Sequence, residues 1–185
     1  MKRLFFIALL PPAEIQSEIT QIKQYFAQNY DSRHALKSPP HITLQPPFNW
    51  STSDLNLLEQ CCESFAAQHL PFSVTLSGFN AFPPRVIYVD VVKTTELIAL
   101  QTHWVTHLNS HLELLSNNSK VRPFTPHMTV ALRDLSRNNF QVAWTEFKNK
   151  PLQFEFIVDQ LTLLVHTGKR WQIQQEFRLG DSKLI

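Results

Sequence analysis

The sequence predicts a mixed fold of strands and helices, organised as two related lobes around a shared cleft. Short apolar runs typical of strands alternate with segments whose apolar residues recur every three or four positions, as in helices. A five-residue pattern of Pro, His, apolar, Thr, apolar occurs at 40–44 and again at 126–130. The copies begin 86 residues apart in a 185-residue chain, which is too sparse for a solenoid repeat. The duplication predicts that each lobe contributes one strand to the cleft.

Eight strands and four helices follow from these patterns. Strands are predicted at 4–10, 41–44, 72–76, 85–92, 127–132, 153–158, 161–166 and 171–178. Helices are predicted at 12–29, 53–69, 95–115 and 136–149. Thr167-Gly168 marks a hairpin turn between the last two strands. The apolar start at 4–10 is short for a signal peptide and is followed by Pro11-Pro12, so a buried first strand is the preferred interpretation.

Composition limits the classes of function. Only three glycines occur, and neither GxGxxG nor GxxxxGK[ST] is present, which argues against a glycine-rich nucleotide loop. The net charge of +2 comes without a run of Lys or Arg, so a small phosphorylated ligand or an RNA end is favoured over a long duplex. Cys61 and Cys62 are neighbours on a predicted helix and are expected to be reduced, as in a cytoplasmic protein. No apolar run has the length of a membrane span.

The two His-x-Thr motifs are the candidate catalytic residues. Side chains two positions apart on a strand face the same side, so His41 and Thr43 are expected to point into the cleft together. His127 and Thr129 are expected to do the same from the other lobe. One such motif alone is usually structural, but two copies in the same frame at half-chain spacing favour a catalytic role.

Facing imidazoles suit the hydrolysis of a phosphodiester. A neutral imidazole can take a proton from the attacking water, while a protonated one gives a proton to the leaving oxygen. Threonine hydroxyls can donate hydrogen bonds to the non-bridging phosphate oxygens as charge moves onto them. This chemistry is expected to need no metal ion and no cofactor.

The chain resembles the two-histidine phosphoesterase superfamily, in its branch of bacterial and archaeal 2′-5′ RNA ligase or RNA 2′,3′-cyclic phosphodiesterase proteins. The resemblance covers nearly the whole chain and is most specific at the paired motifs. The matching segments are 3–9 followed by Pro11-Pro12, 40–44, 85–89 and 122–131.

This resemblance implies an α+β fold of two pseudo-symmetric lobes within a single domain, 1–185. Each lobe would be an antiparallel sheet with helices on its outer face, and the active-site groove would lie between the lobes. The resemblance also implies that His41 is the general acid for the 3′-oxygen and His127 the base for water, giving a 2′-phosphate; the residues alone do not choose between them. Two departures from the family occur: Leu132 stands where many relatives have Arg, with Arg133 one position later, and residues 45–48 (Gln-Pro-Pro-Phe) replace a continuing apolar strand.

Further residues are weaker candidates. Phe48 and Phe124 flank the motifs and could stack on a base, and Arg133 and His166 could contact a phosphate. His103, His107 and His111 share one face of the third helix, but the stripe lacks a completing metal ligand and a solvated helix flank is the simpler interpretation.

Three functions remain open from the sequence. The favoured one is a phosphodiesterase that opens 2′,3′-cyclic phosphates at RNA ends or on nucleotides. The second is 2′-5′ RNA ligation, or hydrolysis of a 2′-5′ linkage or another cyclic nucleotide. The third is a non-catalytic binder of RNA ends, which would not need both imidazoles. We expect a cytoplasmic monomer that binds RNA ends or cyclic nucleotides and no membrane.

Overall fold

The protein is described from a computed structural model, which covers residues 1–112 and 123–180. All eight predicted strands and all four predicted helices form in these two ranges. The strands are β1 (Lys2–Leu9), β2 (Ile42–Ser51), β3 (Phe72–Phe82), β4 (Val86–Val91), β5 (His127–Ala131), β6 (Gln153–Val158), β7 (Gln160–His166) and β8 (Trp171–Arg178). The helices are α1 (Ala13–Asn29), α2 (Leu55–Ala67), α3 (Thr95–Leu112) and α4 (Arg137–Phe147). The predicted end of the third helix, at 115, lies outside the described residues.

The strands form two antiparallel sheets, as the predicted α+β class requires. The first sheet has the order β2-β1-β7-β8 and the second the order β5-β4-β3-β6. Helix α2 packs on β7 and β8, with α3 beside it, whereas α1 packs on β5 and α4 on β4. Both sheets therefore have a helical layer, and the two motif strands, β2 and β5, each lie at an edge.

The prediction that the first motif strand ends near residue 44 is wrong. Strand β2 continues through Pro46 and Pro47 to Ser51. Proline lacks the N–H that an inner strand must donate, but an edge strand can accommodate it where the ladder is irregular. The register between β1 and β2 shifts there, because Phe5 pairs with Phe48 while Ile7 pairs with Gln45. This bulge accommodates the two prolines opposite Phe6.

Strand β1 is buried on both faces, which explains its continuous apolar sequence. One face joins a large core to which both sheets contribute, for example Phe5 and Ile7 from the first sheet and Val89 from the second. The other face forms a small apolar cluster, which consists of Phe6, Ala8, Leu10 and Leu164 with Trp171 packed against it. Phe6 and Trp171 of this second cluster also line the cleft between the two sheets.

Cys61 and Cys62 are both buried and form no disulfide, as predicted. Among the described residues, no helix is both long enough and apolar enough to cross a membrane.

Candidate active site

The two His-x-Thr motifs meet because their strands lie at the facing edges of the two sheets. Strands β2 and β5 are in contact, and His41, Thr43, His127 and Thr129 line the same cleft. The apolar residues that alternate with them point the other way and are buried. These are Ile42, Leu44, Met128 and Val130. The strand alternation inferred from the sequence therefore holds in both motifs.

The imidazoles of His41 and His127 are each held by a hydrogen bond to the backbone carbonyl oxygen two residues earlier. Nδ1 of His41 lies 2.7 Å from the carbonyl oxygen of Pro39, and Nδ1 of His127 lies 2.6 Å from that of Thr125. A carbonyl oxygen can only accept, so Nδ1 must carry the proton and donate it. In the neutral ring, Nε2 is then left with its lone pair free. Because a proline follows each of these carbonyls, the extended backbone before proline brings the oxygen back to the ring.

The cleft between the sheets has a volume of about 560 Å³, enough for a nucleotide-sized ligand. Its walls come from both sheets, from the 3₁₀ turn His34–Lys37 and from the β7–β8 hairpin. Besides the motif residues, the lining side chains that concern binding are Phe6, His34, Lys37, Ser38, Pro47, Arg133, His166, Lys169 and Trp171.

The charge of the cleft is positive. Lys37, Arg133 and Lys169 line it, and no Asp or Glu is among the described residues that do. These positive charges affect His34. Its pKa is lowered mainly by burial and to a smaller extent by the positive charges of Arg133 and Lys37. Such a cleft favours an anionic ligand.

The surroundings of His41 favour its neutral form. Burial is the main cause that lowers its pKa to about 4, with smaller contributions from the charges of Lys23 and His127. The hydrogen bond to the Pro39 carbonyl acts in the opposite direction but does not compensate. At neutral pH the His41 ring is therefore uncharged.

The low pKa of His41 predicts how stability depends on pH. A histidine in the unfolded chain has a pKa near 6.5, whereas that of folded His41 is about 4. Below pH 6.5 the unfolded chain therefore binds a proton that the folded protein does not, so the free energy of unfolding falls as the pH is lowered toward 4. Between pH 7.5 and pH 5 we expect His41 to account for at most about 2 kcal/mol of lost unfolding free energy. Urea unfolding at both pH values should show a smaller pH dependence in His41→Gln than in the wild type. Equal pH dependence in the two proteins would contradict the lowered pKa of His41.

Arg133 is placed in the cleft by its neighbour Asp134. The Asp134 carboxylate accepts hydrogen bonds from the backbone N–H groups of Arg33 and His34, both at 2.8 Å, and from the Ser32 hydroxyl at 3.0 Å. Arg133 itself adopts a positive φ of 58°, which is uncommon for a non-glycine residue. The carboxylate thus ties the loop that carries His34 to the end of β5, and Arg133 turns into the cleft beside it. Nothing in the local sequence signals this contact.

The two phenylalanines predicted to stack on a base do not line the cleft. Phe48 and Phe124 pack instead against the main core. Among the described residues, the cleft is lined by one phenylalanine and one tryptophan, Phe6 and Trp171. Their ring centroids lie 4.6 Å apart in an edge-to-face contact, and the Phe6 ring also lies 4.8 Å from the His41 ring. Phe6 could not be predicted from the sequence, because it stands within a continuous apolar run. Trp171 could have been, because it follows the Thr167-Gly168 turn.

The histidine stripe of α3 lies away from the cleft and contacts α2. His107 Nε2 lies 3.1 Å from the Cys61 carbonyl oxygen, and the His107 and His111 rings stack at 4.0 Å. His69 joins this cluster through a 3.3 Å contact with His103. Within the described ranges, no group of three or more ligating side chains is arranged to hold a metal ion.

Two antiparallel sheets with a histidine from each in one cationic cleft define the class of two-histidine phosphoesterases. The chain belongs to the 2′-5′ RNA ligase superfamily, whose sequence pattern matches residues 11–170. It is 27% identical over 182 residues to a Geobacillus kaustophilus protein with the provisional name phosphoesterase, covering 97% of this chain and 98% of that one. A second such protein, from Staphylococcus epidermidis, is 28% identical over 178 residues, covering 94% and 98% of the two chains.

Solved structures agree on the fold. Escherichia coli LigT complexed with 3′-AMP superposes with a TM-score of 0.68 at 21% identity, covering 97% of this chain and 99% of that one. Kluyveromyces marxianus Usb1 gives 0.58 at 12% identity, covering 96% and 98%. At these identities the likeness concerns the architecture alone.

Proposed function

We propose that this phosphoesterase hydrolyses 2′,3′-cyclic phosphates, at RNA ends or on nucleotides, to 2′-phosphates. The observation that carries the proposal is the matched pair of imidazoles in one cleft, each with Nδ1 bonded to a backbone carbonyl and Nε2 available for proton transfer. A binder of RNA ends would not require two rings fixed in the same tautomer. The positive cleft walls suit the charge of the phosphate.

The proposed reaction moves one proton at each imidazole. One ring removes a proton from water, whose oxygen bonds to phosphorus, and the other gives a proton to the 3′-oxygen as its bond to phosphorus breaks. The product carries a 2′-phosphate and a 3′-hydroxyl. Thr43, Thr129 and Arg133 can bind the non-bridging oxygens. All of these groups belong to the protein, so the proposed activity needs no metal ion.

The roles of the two rings follow from the effect of the substrate's charge on His41. A neutral His41 cannot act as an acid, but an anion placed beside it favours the imidazolium. We assign His41 as the acid that protonates the 3′-oxygen and His127 as the base, in agreement with the family resemblance. The acid is then formed only when substrate is bound.

This assignment predicts that an anion raises the pKa of His41. Sulfate, which does not titrate near neutral pH, should raise it from about 4 by at least about one unit, as an opposite charge within a few ångström does. The pKa can be followed by NMR of the imidazole carbons, with His41→Gln identifying the resonance. If sulfate shifts other cleft resonances but leaves the His41 pKa unchanged, His41 would instead be the base.

The proposed function is tested by a hydrolysis screen. The four nucleoside 2′,3′-cyclic monophosphates and a short RNA with a cyclic end are incubated with the protein, with and without EDTA. We expect 2′-phosphate products at equal rates in both conditions. No turnover of any of these substrates, or activity that EDTA removes and a divalent ion restores, would reject the proposal.

A further inference from the structure

A second, smaller cavity adjoins the catalytic cleft. It has a volume of about 270 Å³ and shares a wall with the cleft, formed by Lys37, Ser38 and Trp171. The buried Lys23 and the exposed Arg170 both line it. No Asp or Glu is among the described residues that line it. This side cavity takes no part in the proposed proton transfers.

Lys23 is a buried cation with no acidic partner among the residues that the structure describes. Its side chain is 2% exposed, and Nζ donates to the carbonyl oxygens of Ala35 at 3.1 Å and Ser38 at 3.0 Å. Within the described ranges, no carboxylate oxygen lies within 4.0 Å of this nitrogen. An ammonium has three donors, so one remains available beside the cavity. A buried charge with no counter-ion is costly, and an anion in the side cavity would remove that cost.

The geometry points to a subsite for a second phosphate of the substrate, formed by Lys23, Lys37 and Arg170 and adjoining the catalytic cleft across Ser38 and Trp171. This inference rests on the proposed function and narrows its substrate class. With the cyclic phosphate between the two histidines, the second phosphate would be either a 5′-phosphate on the same nucleotide or the next phosphodiester of an RNA chain. Both sources present the same anionic oxygens.

The electrostatics of Lys23 agree with this assignment. Burial lowers its pKa to about 7, so without an anion beside it the Lys23 side chain is only partly charged at neutral pH. A phosphate beside Nζ favours the charged form. The exposed cations Lys37 and Arg170 can contact the outer oxygens, and the planar guanidinium of Arg170 suits a phosphate.

Three substrates separate the possible sources of the second phosphate. They are a nucleoside 2′,3′-cyclic monophosphate, the same nucleotide with a 5′-phosphate, and a dinucleotide that ends in a cyclic phosphate. We expect kcat/KM to be at least about tenfold higher for one of the two-phosphate substrates than for the first. Whichever of the two shows the preference identifies the source.

The test variant is Arg170→Ala and its matched control is Arg178→Ala. Both remove an exposed arginine: Arg170 directly precedes β8, and Arg178 is the last residue of that strand. Arg170→Ala should reduce the preference about fivefold to tenfold, whereas Arg178→Ala should leave it unchanged. Lys23→Met, checked for folding by circular dichroism, should also reduce the ratio of kcat/KM for the two-phosphate substrate to kcat/KM for the cyclic monophosphate. An unchanged preference in both Arg170→Ala and Lys23→Met would overturn the subsite.

A binding measurement keeps this test separate from that of the activity. Calorimetry compares a nucleoside 2′-monophosphate with the corresponding 2′,5′-bisphosphate and with a dinucleotide that ends in a 2′-phosphate. Tighter binding of a two-phosphate ligand by the wild type, lost in Arg170→Ala, supports the subsite even if no substrate is hydrolysed. Equal affinity of the wild type for all three ligands rejects it even if hydrolysis is observed.

Discussion

Replacing either His41 or His127 with Ala should lower kcat/KM on a nucleoside 2′,3′-cyclic phosphate by about 10²- to 10⁴-fold, because each positioned proton transfer contributes roughly that factor. In the proposed mechanism both rings act on the same turnover, so the loss of either one already disables the acid–base pair. The double variant should therefore be little slower than the slower single variant, rather than showing the product of the two losses. The measurement is steady-state kinetics of all three variants at one pH.

The control for these variants is His103→Ala, which removes an exposed histidine on α3 outside the cleft. It should retain the activity of the wild type. Thr43→Val and Thr129→Val should cost less than either histidine variant, because each removes one hydrogen-bond donor and leaves both proton transfers possible. Near-normal turnover in either single histidine variant would remove that ring from the acid–base pair and reject the paired mechanism.

Arg133→Ala should lower kcat/KM by about 10- to 100-fold, since it removes the charge-assisted contact to the substrate phosphate that we propose for this residue. Arg133→Lys should recover only part of the loss, because lysine keeps the charge but lacks the planar fork of donors. Arg137→Ala, four residues further along at the start of α4, is the matched control and should behave like the wild type.

A further variant separates binding from backbone strain at this position. Arg133 has a φ of 58°, which glycine adopts without cost. Arg133→Gly should therefore melt no earlier than the wild type while losing as much activity as Arg133→Ala. A lower melting temperature that accounts for the lost activity would mean that Arg133 contributes to folding rather than to the phosphate contact.

Local sequence patterns were sufficient to predict the strands and helices of this protein and the candidate site histidines. The eight strands and four helices follow from apolar periodicity, and the duplicated motif located two histidines that the fold brings together in one cleft. The motif even determines its own tautomer, because the carbonyl before each proline is two residues from the ring it holds. These features depend on residues close together in sequence.

Other features depended on tertiary contacts that have no local signature. The continuation of β2 through Pro46 and Pro47 is possible only because the strand lies at a sheet edge. Phe48 looked like a cleft residue from its place beside the motif, yet it packs on the core, while Phe6 from β1 takes the cleft position.

The sequence by itself determined which side chains can carry out the chemistry: two histidines and two threonines in matching frames. Only the tertiary structure decided their environment. The pKa of His41 falls because other elements bury the ring and bring positive charge near it. Lys23, an unremarkable helix residue in the sequence, becomes a buried cation because the 34–38 segment folds over it. Burial and electric field sum over residues distant in the chain, so they cannot be read from local spacing.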